Sequence, residues 1–444
     1  MPNTAMVTMG RENRSARSLS TNMRRAMKCA KFKMVQWRSG AAKIGATLAA
    51  LLVLNACGRT QSVEVLEAPV VDMLPGDSVG ADRTTIYLPL LKDKRVAVLT
   101  NQSGLIGTTH LVDSLLALNV DLVKVFAPEH GFRGDADAGE HVKDGKDLRT
   151  GLNVISLYGS NKKPGPDQLV DVDVILFDLQ DVGARFYTYI STLHYVMEAA
   201  AENKKQVIIL DRYNPNGFYV DGPVLDPAFS SFVGLHPVPI VHGMTIGEYA
   251  RMINGEGWLK GGVECQLAVI TCANYTHDME FAPPIPPSPN LPNAAAIWLY
   301  PSVCLFEGTI VSVGRGTDKP FQCIGYPRSP VGLYKFTPKS VPGAKDPPYL
   351  GKECTGMDLQ EFGMIQARMD KQLELEWLIE MYSSAPDKAK FFNPFFDKLA
   401  GGTALREAII AGKDEATIRA SWQLGLEQFK TIRAKYLLYP DFTS

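Results

Sequence analysis

The sequence lacks the short motifs that mark the commonest metal, redox and nucleotide sites. It has no CxxC pair and no HExxH, and the glycine-rich stretches at 104–107 and 314–316 match neither the P-loop nor the dinucleotide-binding fingerprint. The acidic segment at 135–139 lacks the remaining oxygen ligands and the spacing of a calcium loop. These absences argue against zinc, calcium and redox sites, and they predict a protein that uses no metal and no cofactor.

Cysteine is scarce as well. Apart from Cys29 and Cys57, the chain has five cysteines, which are Cys265, Cys272, Cys304, Cys323 and Cys354. Five is an odd number, so at least one thiol stays unpaired even in an oxidising compartment. The sequence leaves open whether any pair forms a disulfide.

The apolar run near the amino terminus is too short to cross a membrane. A spanning helix needs about 20 apolar residues, whereas this run covers only 44–54 and follows a basic lead, with ten bases and one acid in the first 56 residues. Asn55, Ala56 and Cys57 come next, and this order is typical of a bacterial lipoprotein signal. We therefore predict a signal over 1–56, a lipid on Cys57, and a periplasmic or outer-membrane lipoprotein.

Two details of this signal stay open. Asn55 occupies the place of a smaller residue in most lipoprotein signals, so an ordinary cleaved signal without lipid is an alternative. Met27 or Met34 is an alternative start, because export needs a shorter basic lead than the one present. Export is predicted in each case.

Positive charge is scarce in the mature chain. Removal of residues 1–56 leaves 36 bases against 46 acids, a formal charge near −10. Nucleic-acid binding requires a basic surface. Nucleic acids are therefore excluded as partners, and contact with a membrane is expected through the lipid alone.

Beyond residue 84, apolar β-branched runs alternate with helical patterns. The runs cover 95–100, 122–126, 154–157, 172–177 and 207–210, and apolar residues at helical spacing cover 109–118 and 189–203. Buried strands that alternate with helices predict an α/β fold with a doubly wound, mostly parallel sheet.

A proline-rich passage at 282–292 can continue neither a helix nor a central strand. It marks the approach to a domain boundary. We predict a tether over 57–84, a catalytic α/β domain over 85–301, and a smaller C-terminal α/β domain over 302–444 that completes a cleft.

Polar residues follow all five predicted strands. They are NQSG at 101–104, PEHG at 128–131, YG at 158–159, DLQD at 178–181 and DR at 211–212. Ligands of open parallel sheets bind beyond the carboxyl ends of the strands. The residues that follow the five strands are therefore expected to line one binding site.

Glu129 is the best single candidate for chemistry. A carboxyl on the tight turn from Pro128 to Gly131, beside buried strands, can be partly desolvated, and desolvation keeps a carboxyl protonated near neutral pH as a general acid requires. The alternative is that Glu129 caps the following turn. His130 is expected either to orient Glu129 or contact a ligand, or to be a structural histidine.

The segment at 178–189 has a composition that suits a sugar. Asp178 and Asp181 can accept hydrogen bonds from hydroxyls, Tyr187 can pack on a sugar ring, and Arg185 can hold a carboxylate through two parallel hydrogen bonds. The alternative for Arg185 is a salt bridge to one of the two aspartates that fixes the loop.

Six segments, in order, resemble a single family. They are NQSG at 101–104, FAPEHGFRG at 126–134, FDLQDVGAR at 177–185, LDR at 210–212, HGMTIGE at 242–248 and GRGT at 314–317. Together they resemble the NamZ-type exo-β-N-acetylmuramidases, from about residue 95 to the C terminus. The resemblance implies a Rossmann-like domain, a smaller C-terminal domain and a cleft between them. It also implies hydrolysis of a terminal β-linked N-acetylmuramic acid from the non-reducing end of peptidoglycan fragments.

The resemblance also implies roles for individual residues. The proposed catalytic glutamate of the family falls on Glu129, in agreement with the argument from strand ends. Its partner stays open among Asp178, Asp181 and Glu248, because the carboxyl separation decides between a nucleophile and a base. The 2-acetamido group of the substrate can also attack the anomeric carbon itself, in which case one acid and one orienting carboxylate suffice.

Further residues of the matching motifs are expected to bind substrate. The lactyl carboxylate of muramic acid needs a cation, and the candidates are Arg133, Arg185, Arg212 and Arg315. The other predicted binding residues are Asn101, Ser103, His130, Tyr187, His242 and Glu248. One departure from the family pattern is Cys304, which stands where glycine is expected.

Two other functions compete with this hypothesis. A noncatalytic sugar-binding lipoprotein could use the same cleft for capture and delivery to a transporter. An amidase or esterase acting on the peptide stem is disfavoured, because no Ser-His-acid signature or zinc set accompanies the fold. The leading hypothesis is a metal-free, cofactor-free glycoside hydrolase of cell-wall turnover.

Overall fold

The protein is described by a computed structural model, which covers residues 64–65, 78–129, 131–132 and 144–443. The predictions for the signal at 1–56, for Cys57, for His130 and for Arg133 concern residues outside these ranges. Among the helices in these ranges, none combines the length and the hydropathy of a membrane-spanning segment.

The secondary structure alternates between strands and helices in the first two thirds of the described chain and is mainly helical afterwards. The strands are β1 (Glu64–Val65), β2 (Val96–Thr100), β3 (Leu105–Ile106), β4 (Thr109–His110), β5 (Leu122–Ala127), β6 (Gly145–Lys146), β7 (Asn153–Ser156), β8 (Val174–Asp178), β9 (Gln206–Leu210), β10 (Gln266–Ile270), β11 (Cys323–Tyr326), β12 (Tyr334–Phe336) and β13 (Cys354–Asp358). The α-helices are α1 (Thr84–Leu91), α2 (Leu111–Ala117), α3 (Pro166–Leu169), α4 (Tyr189–Glu202), α5 (Ile246–Gly255), α6 (Ala294–Val303), α7 (Gln360–Ile365), α8 (Ala367–Asp370), α9 (Glu376–Ser383), α10 (Phe396–Ala400), α11 (Ala404–Ile410) and α12 (Glu415–Arg433).

Eight strands form one sheet in the order β1-β10-β9-β8-β2-β5-β7-β6. Neighbouring strands are parallel except at β6, which is antiparallel to β7. From β2 the chain moves outward through β5 to β7 and then returns to β8 on the other side of β2. The strand order therefore reverses between β2 and β8, and a reversal of this kind opens a crevice at the carboxyl ends of the two strands.

Helices cover both faces of this sheet. Successive side chains of a strand point to opposite faces, and the neighbours Val98 and Leu99 of β2 accordingly belong to different apolar clusters. Val98 shares its cluster with Leu111 of α2, and Leu99 shares its cluster with Leu193 of α4. This arrangement confirms the predicted α/β fold with a doubly wound, mostly parallel sheet.

The C-terminal part has a small sheet of its own. β13 lies between β11 and β12, both antiparallel to it, and α7 to α12 follow this sheet in the chain. A smaller C-terminal α/β region is therefore present, as predicted. The predicted division between residues 301 and 302 falls in the last turn of α6 and stays a prediction.

Candidate active site

A cavity of about 530 Å³ lies beyond the carboxyl ends of β5 and β7, and we call it the cleft. Its volume falls within the range of small-molecule sites, roughly 300–1,000 Å³. Loops of the large sheet form one part of its wall, and residues from α6 onward form the rest. The lining residues are Glu129, Tyr158, Gly159, Lys162, Phe186, Tyr187, Thr188, Tyr189, Phe232, Val233, Ser288, Leu291, Tyr300, Cys304, Glu307, Arg315, Phe321, Phe395 and Leu399.

Glu129 follows β5 on a tight turn and is half-buried in the cleft wall. The turn is closed by a hydrogen bond of 3.0 Å from the Gly131 amide to the Pro128 carbonyl, and Gly131 has a φ of 79°, which favours glycine. Thr188 Oγ1 donates a hydrogen bond of 2.7 Å to Glu129 Oε2. The Tyr158 hydroxyl is also hydrogen-bonded to Glu129. Burial, followed by the charge of Glu129, raises the pKa of Tyr158.

Aromatic rings form much of the cleft wall. The Tyr187 ring stands nearly perpendicular to Tyr300, and it meets Tyr189 edge-on with 4.8 Å between ring centroids. Lys162 Nζ lies 4.5 Å from the centroid of the Phe232 ring. Apolar walls with a few convergent polar groups are typical of small-molecule sites.

Arg315 and Glu307 form an ion pair in the part of the wall that follows α6. Arg315 Nε donates to Glu307 Oε1 at 2.6 Å, and the guanidinium carbon lies 4.8 Å from the centroid of the Phe321 ring. Among the described residues, the two terminal nitrogens of Arg315 have no hydrogen-bond partner. They are therefore available to a ligand. Cys304 lies beside the pair, and its thiol donates to Glu307 Oε2 at 3.6 Å.

Asn101 and Ser103 contribute to the cleft wall indirectly. Asn101 is fully buried, and its Nδ2 donates to the Tyr189 hydroxyl at 2.7 Å. Its Oδ1 accepts a hydrogen bond of 2.6 Å from Ser103 Oγ. Asn101 therefore holds Tyr189, which lines the cleft, and Ser103 in turn holds Asn101. Neither of these two predicted binding residues lines the cleft itself.

The three carboxylates predicted as partners of Glu129 are buried elsewhere. Asp178 pairs with Arg212, at 2.5 Å between Oδ1 and Nε. Asp181 Oδ1 accepts from the Gly183 amide at 2.7 Å, and burial raises the pKa of Asp181 to about 7. Glu248 is fully buried and caps the first turn of α5. None of the three is part of the cleft lining.

Two of the predicted lactyl-binding cations are also engaged inside the protein. The fully buried Arg185 donates to the backbone carbonyls of Pro223, Val238 and Leu399 at 2.7–2.8 Å, and burial lowers its pKa to about 9. Arg212 is held by Asp178. Arg315 is therefore the predicted cation that the described structure places in the cleft.

His242 lies in the core. Its Nδ1 accepts a hydrogen bond of 3.3 Å from the Met244 amide, and burial lowers the pKa of His242 to about 3. A neutral, buried histidine of this kind fits a structural role. It does not line the cleft.

The proline-rich passage at 282–292 is hydrogen-bonded to two of the segments that follow strands of the large sheet. Gln102 Nε2 donates to the carbonyls of Pro286 and Pro287 at 3.1 and 3.3 Å, and the Tyr187 hydroxyl donates to Pro287 at 2.9 Å. Ser288 and Leu291 of this passage line the cleft. Residues 283–285 line a second cavity of about 340 Å³, together with Ser103, Gln180 and Arg212. Residues that follow the strands therefore line two cavities, instead of the single predicted binding site.

Several lining residues lie outside the predicted set. Tyr158 ends a predicted strand and could have been included on that ground, and Thr188 belongs to the segment at 178–189. Lys162, Phe232, Glu307 and Phe395 lie in no matching motif. Their position in the cleft depends on contacts between distant parts of the chain, and no local pattern signals it.

Two models of one protein family match the chain. The family is described as exo-beta-N-acetylmuramidase NamZ; its N-terminal model matches residues 96–295 and its C-terminal model matches residues 298–439. The peptidoglycan beta-N-acetylmuramidase NamZ of Bacillus subtilis (strain 168) is 39% identical over 377 residues, which cover 80% of this chain and 89% of that protein.

Two crystal structures of DUF1343 family proteins from Bacteroides fragilis are also similar. One has a TM-score of 0.77 and 46% identity, and the other has a TM-score of 0.69 and 30% identity. Each match covers 82% of this chain and 99% of the other. The chain belongs to the family of the NamZ exo-β-N-acetylmuramidases, which confirms the prediction from the six motifs.

Proposed function

We propose that this protein is an exo-acting β-N-acetylmuramidase that releases terminal N-acetylmuramic acid from the non-reducing end of peptidoglycan fragments. The observation that carries the proposal is Glu129, a half-buried carboxyl in a sugar-sized cleft of a chain from the NamZ family. The named activity of the Bacillus subtilis relative supports the same substrate.

Glu129 acts as the general acid in this proposal. It donates a proton to the glycosidic oxygen as the bond from that oxygen to the anomeric carbon breaks, and as a carboxylate it then takes a proton from the attacking water. Thr188 and Tyr158 are both hydrogen-bonded to the carboxyl group. Their hydrogen bonds restrict its rotation, so the proton is delivered in a defined direction.

Arg315 binds the lactyl carboxylate in this proposal. Guanidinium groups pair with carboxylates through two parallel hydrogen bonds, and both terminal nitrogens of Arg315 are free for such a pair within the described part of the chain. Its Nε is already held by Glu307 at 2.6 Å, which fixes the plane of the guanidinium. The lactyl group distinguishes muramic acid from glucosamine, so Arg315 is a specificity residue.

The experiment is a turnover assay with 4-nitrophenyl β-N-acetylmuramide and the purified protein. We expect hydrolysis by the parent protein and a loss of about 10²–10⁴-fold in kcat for Glu129→Gln, the range for a general acid. Glu264→Gln changes an exposed glutamate and serves as the matched control. Binding of the sugar without turnover by the parent would instead identify a noncatalytic binding protein.

Export and lipid attachment form the second part of the proposal. The basic lead, the apolar run at 44–54 and Cys57 support them. We expect mass spectrometry of the mature protein to find a lipid-modified amino-terminal Cys57. The Cys57→Ser variant should leave the membrane fraction; a parent protein without lipid would favour the ordinary cleaved signal.

A further inference from the structure

Two carboxyl groups line the cleft among the described residues, and they belong to Glu129 and Glu307. Glu307 lies in the 3-10 helix Cys304–Gly308, which directly continues α6. Its side chain is 25% exposed, so it remains accessible to a ligand. The buried Asp178, Asp181 and Glu248 have no comparable access.

The Glu307 side chain is held on both oxygens. Arg315 Nε donates to Oε1 at 2.6 Å, and Cys304 Sγ donates to Oε2 at 3.6 Å. A carboxylate oxygen has two lone pairs, so each oxygen of Glu307 can still accept one hydrogen bond. A carboxylate that accepts hydrogen bonds on both oxygens is a weaker nucleophile than a carboxylate without them. It is nevertheless a well-oriented hydrogen-bond acceptor.

The backbone around Glu307 is also fixed. Asn393 Nδ2 donates to the Glu307 carbonyl at 3.3 Å. The next residue, Gly308, packs so closely against α10 that an added Cβ would lie 2.4 Å from the Phe396 Cα. The position of Glu307 in the cleft is therefore set by the packing of the C-terminal part, as preorganised catalysis requires.

We propose that Glu307 is the second catalytic carboxylate, and that it accepts the N–H of the substrate's 2-acetamido group while the acetamido oxygen attacks the anomeric carbon. The inference rests on the proposed function. In the first step a bond forms from the acetamido oxygen to the anomeric carbon, the glycosidic bond breaks, and the proton of Glu129 goes to the leaving oxygen. In the second step water adds to the anomeric carbon, the bond to the acetamido oxygen breaks, and Glu129 recovers a proton from the water.

Variants at Glu307 test this role. We expect Glu307→Gln to lower kcat by about 10²–10³-fold, the loss typical of one preorganised group at a charged transition state. Glu307→Asp keeps the charge but withdraws the carboxylate, and a large loss is expected here too. Glu353→Gln is the matched control, because Glu353 is also ion-paired, with Lys335 at 2.8 Å, but on the surface. The thermal melting curve of each variant tests whether that variant is folded.

Two further readouts separate the proposed role from other roles. Successive fluorine substitution of the acetamido methyl weakens the internal nucleophile, so kcat of the parent should fall steeply along the series; a flat series contradicts the proposal. Azide should not restore turnover to Glu307→Ala. Azide rescue with an α-glycosyl azide product would identify Glu307 as a covalent nucleophile and overturn the acetamide-binding role.

Hydrolysis of the muramide by the parent protein distinguishes failure of the proposed function from failure of the proposed role of Glu307. If the parent does not hydrolyse the muramide, the proposed function fails. If the parent hydrolyses it and a folded Glu307→Gln variant retains full activity, the proposed function stands and the role of Glu307 is overturned.

Discussion

Thr188 Oγ1 donates a hydrogen bond of 2.7 Å to Glu129 Oε2. Thr188 directly precedes α4, the helix that follows β8, whereas Glu129 follows β5. The bond therefore joins the segment after β5 to the segment before α4 at the carboxyl group that we propose as the proton donor. Residues that hold a catalytic group affect the rate without contact to substrate.

We expect Thr188→Val to lower kcat about fivefold, the equivalent of ~1 kcal/mol for one hydrogen bond, with little change in KM. Valine has nearly the same shape but lacks the hydroxyl donor. Thr188→Ser keeps the donor and should retain most of the parent rate. Equal rates for the valine and serine variants would mean that the hydroxyl does not position Glu129.

We expect Arg315→Ala to remove the preference for muramides over glucosaminides. Loss of charged hydrogen bonds costs about 1.5–3 kcal/mol, which corresponds to a decrease of roughly 10–150-fold in kcat/KM for the muramide. The ratio of kcat/KM for the two aryl glycosides measures this effect. Arg406→Ala removes another ion-paired arginine, bound to Asp397, and serves as the control. An unchanged ratio in Arg315→Ala would place the lactyl group elsewhere.

Asp181→Asn is expected to stabilise the protein more at pH 7 than at pH 4. Burial raises the pKa of Asp181 in the folded protein to about 7, whereas an unfolded aspartate has a pKa of about 3.9. Between these values the unfolded chain releases a proton that the folded chain retains, so the Asp181 carboxyl lowers the free energy of unfolding as pH rises. Asparagine removes this dependence.

Denaturant unfolding of parent and variant at several pH values between 4 and 7 measures the difference. Asp121→Asn changes an exposed aspartate and is the control. A stability difference between the Asp181 variant and the parent that does not grow with pH would contradict the prediction.

Gly308→Ala is expected to lower both the melting temperature and kcat. The added Cβ would lie 2.4 Å from the Phe396 Cα and 2.7 Å from its backbone nitrogen, and backbone atoms cannot rotate away as a side chain can. Overpacking of this kind typically costs about 1–3 kcal/mol. Gly402→Ala meets no atom within 4 Å and should melt close to the parent.

Local sequence patterns predict the central part of the sheet well. Continuous β-branched runs correspond to β2, β5, β7, β8 and β9, because a strand buried on both faces needs apolar residues throughout. The patterns do not identify β10, nor the two-residue edge strands β1 and β6. Short edge strands depend on a neighbouring strand for their hydrogen bonds, so their own residues carry little signal.

The sequence by itself determined the fold class, the family and the turn that carries Glu129, because each of these depends on residues close together in the chain. Tertiary structure decided which polar groups reach the cleft. Arg185 and Glu248 lie in matching motifs yet are buried among distant backbone partners. Glu307 lies in no matching motif yet reaches the cleft, because α6 and α10 place it there. Burial and side-chain direction arise from packing between distant segments, which no local pattern encodes.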